Sequence, residues 1–173
     1  DLYESGIALE SGETTMYAVS IGENGLVSPL SIFGYTLGGV VEEVTLADTA
    51  LDSHVRQTLG IGSGVKLMTS DLWKITSLTL PADVTTLSDL QYFPYLTELV
   101  IPGGGFSDFQ CFATLANLET LSVTGCTVST QDIATISAMP KLKHLTLSNF
   151  MISSIQNLAG AEKLESLDLS GNT

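Results

Sequence analysis

A chain of 173 residues with 44% hydrophobic and only 14% charged side chains is too apolar for a disordered tail and long enough to bury a sizeable core. Six basic residues against 19 acidic ones give a net charge of −13, so a phosphate backbone would repel the chain and no nucleic-acid partner is expected. The uncharged stretch 24–41 is interrupted by Gly25, Pro29, Gly34, Gly38 and Gly39, and no membrane insertion is expected.

Acidity is uneven. Residues 1–47 carry seven acids and no base, residues 48–74 three of each, and residues 75–173 nine acids and three bases. Such a surface keeps a protein dispersed, or recognises a basic partner. The chain opens on Asp1 rather than Met, which suggests a signal peptide or other segment upstream.

Residues 3–41 read as short strands. Gly6–Glu10 and Thr14–Ile21 flank a Ser11-Gly12 turn, and Gly22-Glu23-Asn24-Gly25 forms a second turn leading to Leu26–Leu37. An arm of about 40 residues seldom folds alone. Residues 1–43 are therefore expected to lean on the rest of the chain, or to be the remnant of an upstream β-domain.

Residues 44–74 read as a helical cap. Asp48 can cap a helix running to Leu59; Leu51, Val55 and Leu59 recur on one face, and Gly60 stops it. A shorter helical turn is expected from Thr69 or Ser70 through Asp71, Leu72 and Trp73.

Beyond it, one hydrophobic spacing recurs five times. It begins at Ile75-x-x-Leu78-x-Leu80 and continues from Leu96, Leu118, Leu142 and Leu164 as Leu99/Ile101, Leu121/Val123, Leu145/Leu147 and Leu167/Leu169. Successive starts lie 21, 22, 24 and 22 residues apart, inside the window of roughly 20 to 29 residues used by leucine-rich repeats. Each unit is too small to bury its own apolar face, so the units must stack into a shared core with one short strand per coil. The expected fold is α/β: a right-handed solenoid over residues 75–173, its parallel sheet on the concave face, with a helical N-terminal cap and a small β-arm.

Eight residues after each repeat start, where such repeats place a buried Asn or Cys, stand Asp83, Gly104, Cys126, Phe150 and Asn172. Four of the five lack the Asn amide, so those turns must satisfy their backbone groups otherwise and irregular coils are expected. Two extra residues in the third repeat fall near Ser129-Thr130-Gln131-Asp132, which reads as a helix start with Ile133 and Ile136 facing inward. Cys126 reads as core filler and Cys111 lies on a return path; both are expected to be thiols rather than a disulfide.

Inward-facing residues at the fourth and sixth positions of each repeat leave the third, fifth and seventh on the concave side. Those are Ser77, Thr79, Pro81; Glu98, Val100, Pro102; Thr120, Ser122, Thr124; His144, Thr146, Ser148; and Ser166, Asp168, Ser170. This polar floor makes Glu98, Thr120, Ser122, His144, Thr146, Ser166 and Asp168 the candidate ligand-binding residues. Glu98, His144 and Asp168 are its ionisable groups, able to give binding a charge or pH dependence. Few aromatic anchors appear on it.

Ser122, His144 and Asp168 stand on consecutive strands in the residue types of a hydrolytic triad. An open floor supplies no oxyanion hole and no water exclusion, so no catalytic residue and no enzymatic activity are expected. His54, beside Asp52 and Arg56 on the cap helix, has no second His or Cys at ligand spacing, so no metal site is expected. Gly103-Gly104-Gly105 lacks the Lys, Ser/Thr and strand-to-helix context of a phosphate loop and reads as a turn; no cofactor is expected.

Segments Leu46–Gly60 and Thr69–Leu80 resemble the helical cap and first repeat of bacterial surface leucine-rich repeat proteins of the internalin-like, short-repeat type. Leu90–Leu99 and Leu164–Asn172 resemble their repeat body, so the resemblance covers residues 44 to 173. It implies a secreted or cell-surface recognition module whose ligand is a protein or a glycan. The alternative is an accessory or spacer domain of a larger surface enzyme or adhesin. The fifth coil stops at Thr173 without a return segment, which suggests either further repeats or self-association through the C-terminal repeat.

Overall fold

The computed structural model describes residues 12–18, 31–37, 41–106, 109–126, 129–150, 152, 154 and 156–172, in two units, Asp1–Val41 and Glu42–Thr173. In the first unit, β1 (Gly12–Ala18) pairs antiparallel with β2 (Ser31–Leu37), Gly12 opposite Leu37 and Ala18 opposite Ser31. Gly12, expected in a turn, is a strand residue: its pairing with Leu37 gives the backbone a ladder partner that outweighs the turn preference of glycine. The expected strand Gly6–Glu10 and the turn at Gly22–Gly25 lie outside the described residues.

The second unit opens with a cap. Strand β3 (Glu43–Val44) pairs antiparallel with β4 (Leu67–Met68), and between them runs helix α1 (Thr49–Leu59). Asp48 Oδ1 accepts the N–H groups of Ala50 and Leu51, each at 3.0 Å, which satisfies donors that the first helical turn leaves without partners. At the other end Gly60 adopts φ +68, a left-handed conformation that costs glycine little, and its N–H and that of Ile61 close on Gln57 and Arg56 carbonyls. Leu51 and Val55 are fully buried and Leu59 partly so. Each full burial is worth about 1.5–3 kcal/mol, so this stripe seats the helix on the first coil. Arg56 spans the outer side, reaching Asp52 at 2.7 Å and the Val65 carbonyl at 2.7 Å, and thereby holds the loop before β4. The short helix α2 (Thr69–Leu72) follows, with the Met68 N–H on the Asp71 carboxylate at 3.1 Å.

Five parallel strands then stack in chain order: β5 (Ser77–Thr79), β6 (Glu98–Ile101), β7 (Thr120–Thr124), β8 (His144–Ser148) and β9 (Ser166–Asp168). They lie within the windows that the leucine spacing marks out, except that β7 and β8 run one residue further because Thr124 pairs with Ser148. Register follows repeat position: Leu78, Leu99, Leu121, Leu145 and Leu167 form one row. The first four of these are buried and stack with Phe93, Phe109 and Phe112 in a continuous core. The extra length of the third repeat is helix α3 (Thr130–Ser137), capped by the Ser129 hydroxyl and the Asp132 carboxylate, with Ile133 and Ile136 buried as expected.

The missing asparagines are replaced by other acceptors. Asn172 shows the full arrangement: its Oδ1 accepts the Phe150 and Ile152 N–H groups at 3.0 Å, and its Nδ2 donates to the Leu147 and Leu169 carbonyls at 2.7 and 2.8 Å. The buried Cys126 thiol receives the amides of Gly105 and Phe106; burial pushes its pKa up, and those amides only partly oppose the rise. For the first coil the acceptor comes from the cap: Asp48 Oδ2 takes the Thr85 N–H at 2.7 Å, the Thr85 hydroxyl at 2.8 Å and the Thr86 N–H at 3.3 Å. Two further buried acids serve neighbouring coils, Asp89 accepting the Asp48 N–H at 2.8 Å and Asp132 the Phe109 N–H at 3.4 Å. The coils therefore remain regular in register although their turns differ chemically. Gly125, Asn149 and Gly171, one position earlier in the last three repeats, share a left-handed backbone with φ +66, +60 and +72.

Candidate functional site

The floor of the sheet is set by the ladder. One row across it reads Ser77, Glu98, Thr120, His144, Ser166 and the next Thr79, Val100, Ser122, Thr146, Asp168, since pairing joins equivalent positions of every repeat. Neighbouring strands lie about 4.8 Å apart, so short side chains in a row touch laterally. Ser77 Oγ donates to Glu98 Oε2 at 2.9 Å, and Ser166 Oγ lies 3.0 Å from His144 Nδ1. Glu98, His144, Ser166 and Asp168 are exposed, whereas Thr120, Ser122 and Thr146 are half-buried between them. Asp168 accepts the Ser170 N–H at 2.8 Å, and that backbone bond holds its carboxyl below the usual aspartate range.

The structure brings all seven candidate binding residues onto one face, but not into one cluster. His144 engages Ser166, Asp168 engages Ser170, and Ser122 stands opposite Thr146 and Val100. No hydrogen-bonded relay links Ser122, His144 and Asp168. Ser148, expected on the open side, is buried, with its hydroxyl 3.1 Å from that of Thr124. The reason lies in its neighbours: paired hydroxyls satisfy each other and lose the need for water.

At the N-terminal ends of the strands lies a feature that the leucine pattern does not mark. Trp73, just before the first repeat, packs edge-on against Tyr95, just before the second, with ring centroids 6.4 Å apart and planes at 87°. Both rings are half-buried. Further along the same side, Lys143 bridges to Glu119 at 2.7 Å, which lowers the Glu119 pKa and raises that of Lys143. Lys141 donates to Asn117 Oδ1 and Asn117 Nδ2 to the Pro94 carbonyl, at 2.7 and 2.9 Å, so this rim is stitched across three coils. The signal for the aromatic pair was an aromatic residue two positions before the first repeat and one position before the second.

Among the described residues no group of three or more His, Cys, Asp or Glu side chains could hold a metal ion, and Cys111 and Cys126 are thiols. No helix among them is long and apolar enough to cross a membrane.

The leucine rich repeat family pattern matches residues 116–173. The crystal structure of an internalin, inlF, from Listeria monocytogenes is similar with a TM-score of 0.64 and 26% identity, over 72% of this chain and 37% of that one. The described array is an internalin-like leucine-rich repeat solenoid. The chain is also 29% identical over 93 residues to the leucine-rich repeat-containing G-protein coupled receptor 5 of Rattus norvegicus, covering 53% of this chain and 10% of the receptor. The chain thus spans a tenth of that relative's length and about a third of the internalin's. The concave floor is a shallow polar surface with exposed ionisable groups on β6, β8 and β9, and the aromatic pair borders its first two strands.

Proposed function

We propose that the array is a non-catalytic recognition module that binds a protein partner across the concave floor, at or outside the bacterial cell surface. The observation that carries this reading is the in-register floor: five strands present one continuous row of solvent-facing polar groups from Ser77 to Ser166. A surface of that length suits a protein segment better than a small molecule. Trp73 and Tyr95 supply the rigid aromatic area that concentrates binding energy at protein interfaces. With a net charge of −13, the partner surface is basic, which speeds encounter and favours the correct partner over acidic ones. The secreted, surface-attached setting rests on the internalin-like fold.

Replacing Glu98, His144 and Asp168 together by Ala tests the floor. The expected outcome is loss of binding to a captured partner and a weaker salt dependence of the association rate, with only a small drop in melting temperature because all three side chains are exposed and lose one surface hydrogen bond each. Full affinity in the triple variant would move recognition off the concave face.

A further inference from the structure

The chain has only six basic side chains, and four of them are engaged in ion pairs: Arg56 with Asp52, Lys66 with Glu43, Lys74 with Asp71 and Lys143 with Glu119. Lys141 and Lys163 are not. They occupy the same repeat position, immediately before Leu142 and Leu164, and both are exposed. Each ammonium rests on a neutral acceptor, Lys141 on Asn117 Oδ1 and Lys163 on the Pro140 carbonyl, both at 2.7 Å. An ammonium carries three donors, so each lysine keeps two for an anion. Among the described residues Glu162 and Glu165, beside Lys163 in sequence, bridge to neither lysine, and Glu119 is committed to Lys143.

Beside these lysines opens an apolar cleft of about 300 Å³, between the turn Gln110–Thr114 and the C-terminal half of α3. Leu115 and Met139 form its buried floor, and Ala113, Ala116, Ala138 and Pro140 its exposed lip. The lysines sit on that lip. Lys141 follows Pro140 and leans on Asn117, the neighbour of Ala116, while Lys163 holds the Pro140 carbonyl itself. The one hydroxyl lining the cleft, that of Thr135, already donates to the Gln131 carbonyl, and Asn117 Nδ2 already donates to the Pro94 carbonyl. A sugar would therefore leave its hydroxyls unpaired here, whereas an apolar group loses nothing on entering.

An apolar cleft with two unneutralised ammonium groups at its lip selects a partner that is apolar and anionic at adjacent points. We propose that this flank docks an acidic peptide segment of a partner protein, with one apolar side chain in the cleft and a neighbouring Asp or Glu carboxylate on Lys141 and Lys163. The volume lies at the lower end of ligand sites, enough for one large side chain but not for a long acyl chain. The net charge of −13 opposes an anion at long range, so recognition depends on these two ammonium groups at contact distance, where screening by salt is least. The surface shares no residue with the concave floor and stands whether or not that floor binds a protein.

The test is amide chemical-shift mapping of the whole chain titrated with synthetic hexapeptides that carry one Leu or Phe beside two Glu. The same peptides with Lys for Glu, octanoate and a neutral disaccharide form separate arms. Saturable shifts are expected at residues 112–117, 135–139 and 141–142 with the acidic peptides alone, and are expected to vanish when the peptide Leu or Phe is replaced by Gly. The double variant Lys141→Gln, Lys163→Gln, which removes both charges from exposed side chains, is expected to weaken binding about three- to tenfold. Ala116→Glu is expected to abolish it by placing a like charge on the lip, and Val65→Thr on the exposed cap loop to leave it unchanged; melting curves establish that each variant is folded. The proposal is overturned if no acidic peptide shifts those amides, if the Lys-bearing peptides, octanoate or the disaccharide shift them equally, if the shifts centre on the strand floor, or if the folded double variant binds as the parent does.

Discussion

Asp48 is the residue on which cap and array depend together, so Asp48→Ala is the most informative single substitution. Its Oδ1 closes the first turn of α1 and its Oδ2 takes two backbone amides and a hydroxyl from the first coil. Losing the helix cap costs about 1 kcal/mol. Stranding the Thr85 and Thr86 amides costs about 1 kcal/mol each at the low end of the range, since both sites are only part-buried. The sum is about 3 kcal/mol, which at roughly 3–4 °C per kcal/mol lowers the melting temperature by about 10 °C. Thermal and urea unfolding of the 173-residue chain reads this directly. Asp48→Asn is expected to fall between parent and Ala, because one oxygen still accepts for the helix while the amide faces two donors. A loss under about 1 kcal/mol for Asp48→Ala refutes the argument that cap and first coil share this carboxylate.

Acid titration gives an independent reading of the same residue. Burial opposes the Asp48 charge, but hydrogen bonds from Thr85, Leu51 and Thr86 outweigh it and hold the carboxyl below the usual aspartate value. A depressed folded pKa stabilises the fold above the unfolded value near 4 and loses that contribution as pH falls through the folded one, so the stability gap between parent and Asp48→Ala is expected to narrow below about pH 4. A gap that stays constant in chemical denaturation at lower pH counts against it. Gly125→Ala meets no atom and is expected to cost about 1–2 kcal/mol of backbone strain, whereas Gly171→Ala also drives its Cβ to 2.2 Å from Asn149 and is expected to cost more; equal melting temperatures would contradict the shared turn. Leu167 on β9 is 42% exposed, and we expect the concentrated chain to self-associate there, with Leu167→Lys reducing the larger species seen by light scattering.

How far the fold could be read from the sequence depended on the range of each determinant. Leu78, Leu99, Leu121 and Leu145 are buried in the first four coils, and burial forces an apolar residue, so their spacing exposed the sheet directly. The cap at Asp48 was equally legible because it acts on amides two and three residues away. Asp89 was not: it looks like an ordinary surface acid, and its burial is explained by an amide 41 residues distant in sequence. Asp132 was legible as part of a helix start through its bonds to Ser129, but its reach to the Phe109 amide 23 residues away was not. Ser148 was misplaced for the same reason, its partner Thr124 lying on another strand. Of the candidate floor, membership was readable from the period of the strands, while the lateral pairings of Ser77 with Glu98 and His144 with Ser166 required the register.

The replacements for the missing asparagines share a direction. Asn172 completes the turn of the coil before it, Cys126 and Asp132 complete the second coil from the third, and Asn117 and Lys163 reach back to the Pro94 and Pro140 carbonyls. Among the described residues only the first coil is also completed from the side of the cap, by Asp48. Each of these turns is thus completed only while the following coil is packed on it, so in the native array every coil seals the one before. Shortening the chain from its C-terminal side would accordingly loosen the last remaining coil first and leave the cap until the end.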